Sequence, residues 1–181
     1  MVNVAADAGT YDVVVSNVVN SSVSATANLV VNVPVVFTAQ PASLVVNPGS
    51  LAAFSVSVTG TAPFAYQWKK NGVNISGGTA ATFTIASAQV ADAGSYAVVV
   101  TNPAGSVSSG SATLGLNTPV GIASQPASLA VNPGTSATFS VTASGTAPFS
   151  YQWRKAGVDI PGATSASFTI PTAQASDAGA Y

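Results

Sequence analysis

The chain has 181 residues, of which 48% are apolar and only 5% are charged, with a formal net charge of −1 and neither Cys nor His. An average protein carries roughly a quarter charged residues, so the chain lacks the basic patch that nucleic acid requires and has little charge to oppose self-association. Without Cys, His or Glu it also lacks disulfides, thiolate metal sites and the common acid–base and nucleophilic groups. We therefore expect no enzymatic activity, no metal or cofactor, and no nucleic-acid partner.

No apolar run approaches the roughly 18 residues that a membrane helix needs. The first residues also lack the charged and apolar regions of a signal peptide. We expect no membrane insertion in this segment, and a secretion signal would lie outside it.

The predicted elements are short strands separated by turns. Two strands are predicted in the first 33 residues, at 11–16 and at about 21–33. Beyond them, alternating apolar residues predict half-buried strands at 51–59, 65–70, 82–86, 96–100 and 114–116. Asn71-Gly72 is a strong hairpin signal, and other Gly- and Pro-rich turns separate the remaining runs. Short strands at this spacing, without a helical stretch, predict an all-β antiparallel sandwich.

The sequence repeats with a period of 85 residues, since Trp68 recurs as Trp153 and 153 − 68 = 85. Between 35–96 and 120–181, 38 of 62 aligned positions are identical without a gap. Self-similarity at a fixed period indicates a repeat architecture. The period predicts one complete domain flanked by two partial ones: the last two strands of a domain at 1–33, a complete domain at 34–118, and the N-terminal part of a domain at 119–181.

The complete repeat resembles an immunoglobulin domain of the intermediate (I-set) type. Trp68 stands on the third strand, and Asp92 to Tyr96 matches the tyrosine corner of that family. The resemblance implies tandem immunoglobulin-like sandwiches. The family's inter-sheet disulfide would fall at Val56 and Val98, so apolar packing around Trp68 has to replace it. Tandem arrays with this sequence pattern and without disulfides resemble the repeats of large bacterial surface or secreted proteins.

The resemblance assigns structural roles to two groups of residues. The predicted core comprises Val56, Trp68, Tyr96 and Val98 with their repeats Val141, Trp153 and Val13. The predicted tyrosine corners are Asp7, Gly9 and Tyr11; Asp92, Gly94 and Tyr96; and Asp177, Gly179 and Tyr181. Metal binding or acid catalysis by the three aspartates is the alternative. We favour a turn-ordering role, because one aspartate per domain leaves the three far apart.

The basic residues also have two interpretations. Lys69 and Lys70, repeated as Arg154 and Lys155, could contact an anionic polymer. We favour solvated charges that keep a strand edge from pairing with neighbouring molecules.

The aromatic residues before them could form a sugar-stacking platform. Tyr66 and Trp68 recur as Tyr151 and Trp153. Their i, i+2 spacing points both rings of a pair to the same sheet face, which favours a core position for Trp in particular.

For function, we expect a structural repeat segment of an extracellular fibre, stalk or surface protein that assembles or extends end to end. The repeats carry no insertions, and outward positions such as Val14 and Val99 are apolar, which normally marks an interface. The predicted partners are other copies of the chain or adjoining repeats. The alternative is an adhesin or carbohydrate-binding array with surface glycans as partners.

The two partial domains leave core residues uncovered when each stands alone. Either the sequence is a stretch of a longer array, in which covalently linked neighbouring repeats complete the partial domains, or separate copies complete each other head to tail by strand complementation. The corner motif occurs in both partial domains, and this duplication favours the longer array. In either case we expect Val13 to pack near Val141 and Trp153 of an adjacent copy or adjoining segment.

Overall fold

A computed structural model describes residues 7–181 of the chain. Apart from two short 3₁₀ turns, the elements in this range are all β-strands. The fold class is therefore all-β, as predicted. The described residues form two compact units, one ending at Leu116 and the other running from Asn117 to Tyr181. The boundaries at 33/34 and 118/119 stay a prediction.

The first unit begins with an N-terminal segment, residues 7–33, that contains four strands of three residues. They are β1 (Gly9–Tyr11), β2 (Val14–Ser16), β3 (Ser21–Val23) and β4 (Ala27–Leu29). β1 pairs with β4 and β2 pairs with β3, both antiparallel. The predicted strands at 11–16 and 21–33 are thus each interrupted.

The remainder of the first unit is a two-layered sandwich. Its elements are β5 (Val36–Ala39), β6 (Leu44–Val46), β7 (Ala52–Ser55), β8 (Ser57–Thr59), β9 (Ala65–Lys70), β10 (Val73–Asn74), β11 (Thr82–Ile85), a 3₁₀ turn (Val90–Asp92), β12 (Gly94–Asn102), β13 (Gly105–Ser108) and β14 (Ala112–Leu116). One layer has the order β10-β9-β12-β14-β6, with β13 added to the far end of β12. In the other layer β7 pairs with β11 and β8 pairs with β5.

The apolar faces of the two layers meet in one core. Phe54 and Tyr96 stack with their ring centroids 4.7 Å apart, although they belong to different sheets. Trp68 is fully buried, and its indole Nε1–H donates to the carbonyl of Ala80 at 2.8 Å. Burial of large aromatic side chains is the main stabilising term in a domain of this size. The buried cluster consists of Val35, Ala52, Phe54, Val56, Trp68, Ala88, Tyr96, Val98, Val100, Ala112 and Leu114.

One loop glycine is required by the close approach of two backbones. Gly60 has φ +138°, and a Cβ at this position would lie 2.7 Å from the carbonyl oxygen of Pro34. Thr61 N donates to Val33 O at 3.0 Å beside it. Only glycine allows the loop at residue 60 to come this close to the backbone of Val33 and Pro34. The contact fixes the position at which the chain begins the sandwich.

The second unit repeats the first part of the sandwich. Its elements are β15 (Gly121–Ser124), β16 (Ala137–Ser140), β17 (Thr142–Ser144), β18 (Arg154–Lys155), β19 (Val158–Asp159), β20 (Ser167–Ile170) and a 3₁₀ turn (Ala175–Asp177). β15 pairs with β17, β16 with β20, and β18 with β19. Residues 129–131 and 150–153, which correspond to β6 and the first part of β9, are not in strands. In the first unit those segments pair with β14 and β12.

Candidate functional site

The carboxylates of Asp92 and Asp177 order the turns in which they lie. Asp92 accepts a hydrogen bond from Gln89 N at 2.8 Å, and Asp177 does the same in the second unit. Asp159 forms an exposed ion pair with Arg154 at 2.7 Å. Within residues 7–181, no group of three or more His, Cys, Asp or Glu side chains is placed to hold a metal ion.

The three Asp-Ala-Gly-x-Tyr motifs form the same local structure. In each, the Tyr hydroxyl donates to the carbonyl of the Asp four residues earlier at 2.7 Å; the tyrosines are Tyr11, Tyr96 and Tyr181. Gly94 has φ +152°, and a Cβ there would lie 2.8 Å from Asn71 Oδ1. Burial raises the pKa of Tyr96, and the neighbouring Asp92 carboxylate raises it further. The motif therefore fastens the chain at the start of the long strand β12.

The aromatic pairs lie in the core rather than on a platform. Trp68 is fully buried and Trp153 is only 7% exposed, so neither ring face is available to stack on a sugar. Tyr66 and Tyr151 are half-buried. Val56 and Val98 are both buried around Trp68, at the positions where the family carries its disulfide.

The structure differs from the expectation for two of the basic residues, because these lysines are not free solvated charges. Lys70 Nζ donates to the carbonyl of Ala91 and lies 6.0 Å from the centroid of the Tyr96 ring. Lys155 Nζ donates to Ser176 O at 2.6 Å and lies 5.8 Å from the Tyr181 ring. The lysines brace the tyrosine corners, which leaves them poorly placed to contact an anionic polymer.

The second unit has an open face where the first unit has β12 and β14. Two cavities lie along it. One, of about 490 Å³, is lined by Val141, Tyr151, Trp153 and neighbouring residues. The other, of about 310 Å³, is lined by residues that include Leu129, Val131 and Phe139. Tyr181 lies between the cavities and stacks on Phe139 at 4.8 Å, as Tyr96 does on Phe54. We call this surface the open face.

The N-terminal segment also presents an exposed apolar side. Val13 is 55% exposed, Val15 66% and Leu29 47%. Their equivalents in the complete sandwich, 85 residues later, are Val98, Val100 and Leu114, all buried. Val13 is exposed in the single chain, as expected for a partial domain that stands alone, and its packing near Val141 and Trp153 of an adjacent copy or adjoining segment stays a prediction.

Sequence reasoning missed one polar residue that ties the complete sandwich together. Asn102 Nδ2 donates to Val33 O at 2.7 Å and to Thr61 O at 2.9 Å, while its Oδ1 accepts from Ala104 N at 3.0 Å. It is the only buried polar residue among those described. The recurrence of Asn at 17 and 102, one period apart, was the available signal.

The comparisons identify the complete sandwich. The sequence profile of the immunoglobulin I-set domain matches residues 35–114. Residues 35–114 are an immunoglobulin I-set domain. A three-domain I-band fragment of titin superposes with a TM-score of 0.64 at 25% identity, covering 81% of this chain and 58% of that one. Sidekick-1 immunoglobulin domains 1–5 superpose with a TM-score of 0.60 at 21% identity, covering 97% and 42%. The chain is thus a tandem of immunoglobulin-like sandwiches without disulfides.

Two curated proteins are similar in sequence. A decoration protein of Escherichia phage T5 is 52% identical over 56 residues, which are 30% of this chain and 34% of that protein. Protein sax-3 of Caenorhabditis elegans is 31% identical over 157 residues, 83% of this chain but 12% of that protein. The matches therefore span about a third and about an eighth of these relatives' lengths. No helix within residues 7–181 is long and apolar enough to cross a membrane.

Proposed function

We propose that this chain is a structural repeat segment of an extracellular or cell-surface fibre or stalk, in which immunoglobulin-like sandwiches extend end to end. The observation that carries the proposal is the equivalence of the two units. The anchoring hydrogen bond Thr61 N to Val33 O recurs as Thr146 N to Thr118 O, both at 3.0 Å. The loop at 60–63 is identical in sequence to that at 145–148.

The equivalence of the repeats favours a structural role, in which each sandwich only adds length, over a role in ligand binding. A binding module specialises its loops, because loops carry function on a rigid scaffold. Here the repeats carry no insertion, and the side chains available for exposed contacts are mainly small or apolar. The alternative of a carbohydrate-binding adhesin has less support, since Trp68 and Trp153 are buried.

Immunogold electron microscopy of the producing cells or particles tests the proposal. Antibodies raised against residues 34–118 should label elongated structures on the outer surface without permeabilisation. Label confined to the cell interior would contradict an extracellular role. A parallel glycan array should show no specific binding, and saturable binding to one glycan class would favour the adhesin instead.

The similarity to the phage protein supports a second candidate, a module that decorates the outside of a particle. The supporting observation is the 52% identity over 56 residues to a protein named as a decoration protein. This candidate predicts gold label at regular positions on particle surfaces and co-sedimentation of the purified chain with particles that lack it. Label along free fibres would contradict it.

A further inference from the structure

The turn between β9 and β10 contains a chemically reactive pair of residues. Asn71-Gly72 is the only Asn-Gly sequence in the chain. When the amide nitrogen of such a glycine attacks the side-chain carbonyl carbon of the preceding asparagine, ammonia leaves and a cyclic succinimide forms. Water then opens the ring at either carbonyl and leaves aspartate or isoaspartate, so water is the only other reactant. Glycine favours the attack because it has no Cβ to hinder the approach.

Both residues of the pair are accessible to water. Asn71 and Gly72 are exposed, and a Cβ at Gly72 would meet no atom within 4 Å. Within residues 7–181, the structure gives no hydrogen-bond partner to Gly72 N or to Asn71 Nδ2. The attacking nitrogen and the leaving amide nitrogen are therefore both free to react, and access does not limit the reaction.

The backbone conformation of the turn, however, prevents ring closure. Asn71 has φ +49° and Gly72 has φ +83°, as expected for Asn-Gly in a two-residue hairpin turn. A residue in this left-handed conformation has ψ of about +47°, which places the next backbone nitrogen on the opposite side of the Cα–C bond from Cβ. Ring closure requires the two on the same side. The Cα–C bond of Asn71 must therefore rotate by about half a turn before the succinimide can form.

Two hydrogen bonds to Ser95 hold Asn71 in the conformation that cannot react. Asn71 N donates to Ser95 O at 2.8 Å, and Ser95 N donates to Asn71 Oδ1 at 2.9 Å. They continue the ladder between β9 and β12 beyond the pairing of Lys70 with Tyr96. We call these two hydrogen bonds the Ser95 tie. Because the tie fixes both the main chain and the side-chain amide of Asn71, the Cα–C bond cannot rotate while the tie is intact.

We propose that Asn71 is a deamidation site that the Ser95 tie keeps closed, so that conversion occurs only when the β9–β10 turn opens from Ser95. The rate in the folded chain then follows the population of the open turn. Isoaspartate adds one carbon to the main chain, so residue 71 can no longer make both hydrogen bonds and the tie is lost permanently. The site would thus keep an irreversible record of local opening. The inference does not depend on the proposed external fibre.

The second unit has the same turn without the reactive side chain. Ala156 has φ +49° and Gly157 has φ +82°, and Ala156 N donates to Ala180 O at 2.8 Å. The main-chain half of the tie is therefore repeated, but there is no side-chain amide to lose. We expect the modification at the turn of the first unit alone.

Peptide mapping by mass spectrometry tests whether the fold controls the reaction. The full chain is incubated at mildly alkaline pH with and without denaturing guanidinium chloride. Conversion at Asn71 should be at least about 10-fold slower in the folded chain than in the unfolded chain. In the unfolded chain Asn71 should react before every other asparagine. Equal rates in the two conditions would overturn the proposal, as would faster conversion of another asparagine in the unfolded chain.

A variant that breaks the tie tests whether local opening is the controlling step. A Cβ at Gly94 would lie 2.8 Å from Asn71 Oδ1 and 3.1 Å from Asn71 Nδ2, so Gly94→Ala should displace the side-chain amide from Ser95 N. Conversion in the folded chain should then be at least about 10-fold faster than in wild type. Val100→Ala is the control, because it removes buried core atoms and leaves the tie intact. Equal acceleration in the two variants, compared at the same distance from their denaturation midpoints, would show that conversion follows global unfolding and would overturn the proposal.

Hydrogen exchange on the reaction product tests the consequence for the turn. The isoaspartate chain is separable from the unmodified chain by its additional negative charge. Its Ser95 amide hydrogen should exchange at least about 10-fold faster, because its acceptor has moved away. Unchanged protection of the Ser95 amide in the isoaspartate chain would contradict the loss of the tie.

Discussion

Replacement of Trp68 by Ala is the sharpest test of the core. The indole is fully buried, and its ring centroid lies 6.1 Å from those of both Phe54 and Phe83. Removal of a large buried aromatic costs about 3–5 kcal/mol, and the hydrogen bond to Ala80 O would also be lost. Domains of this kind have unfolding free energies of roughly 5–15 kcal/mol. With no disulfide to compensate, Trp68→Ala should severely destabilise the I-set domain, and it should unfold the domain if the wild-type stability lies at the lower end of that range.

Urea titration followed by circular dichroism measures the effect. Trp68→Phe keeps an aromatic ring but lacks the indole N–H, so its loss should be smaller than that of Trp68→Ala. Val73→Ala is the surface control, since Val73 is exposed on β10, and should change stability by less than about 0.5 kcal/mol. A loss below about 1 kcal/mol for Trp68→Ala would refute the assignment of this residue to the core.

Three further predictions concern the bridge position, a strained turn and alkaline pH. The double variant Val56→Cys, Val98→Cys should form a disulfide that stabilises the domain by up to about 4 kcal/mol. The melting temperatures measured with and without reductant report the difference. A free-thiol assay that finds no oxidation would show that the two positions do not face each other. Ala156 has φ +49°, a left-handed conformation that Asn tolerates better than Ala, and the first unit has Asn71 at this position. Ala156→Asn should therefore raise the free energy of unfolding of the second unit by about 1 kcal/mol in urea titration. An unchanged midpoint would contradict the strain argument. Because the pKa of Tyr96 is raised, the folded state keeps a proton that the unfolded state loses above about pH 10. The free energy of unfolding should therefore keep this contribution in full below that pH and fall above it. The fall should be smaller in Tyr96→Phe, and an identical alkaline profile in the variant would exclude Tyr96 as its cause.

The repeat made much of the fold predictable. The 85-residue period aligned Trp68 with Trp153 and indicated which strands each partial domain contains. Alternation of apolar residues located β7, β9 and β12, because burial on one sheet face requires a period of two. The break at Val56, which separates β7 from β8, was not predicted, since alternation continues across it.

The features that were missed depend on contacts between distant residues. Nothing in the local sequence indicates that residues 150–153 fail to form a strand, because they are nearly identical to β9. Within residues 7–181 they have no strand partner, whereas β9 pairs with β12. The attachment of Lys70 to the tyrosine corner likewise depends on a turn 21 residues away. Asn102 was recognisable only as a recurring polar residue, and its role required the positions of Val33 and Thr61.

The candidate site was likewise predictable from the sequence only in part. The sequence predicted that Val13 belongs beside Val141 and Trp153, because that pairing follows from the period alone. It did not predict that the N-terminal segment has the strand register of the complete sandwich, in which Gly9 pairs with Leu29 as Gly94 pairs with Leu114.

Immunogold labelling of intact cells or particles with antibodies against residues 34–118 tests the central claim most directly. The account predicts label along elongated structures on the outer surface without permeabilisation. Label that appears only after permeabilisation and is confined to the interior would contradict it.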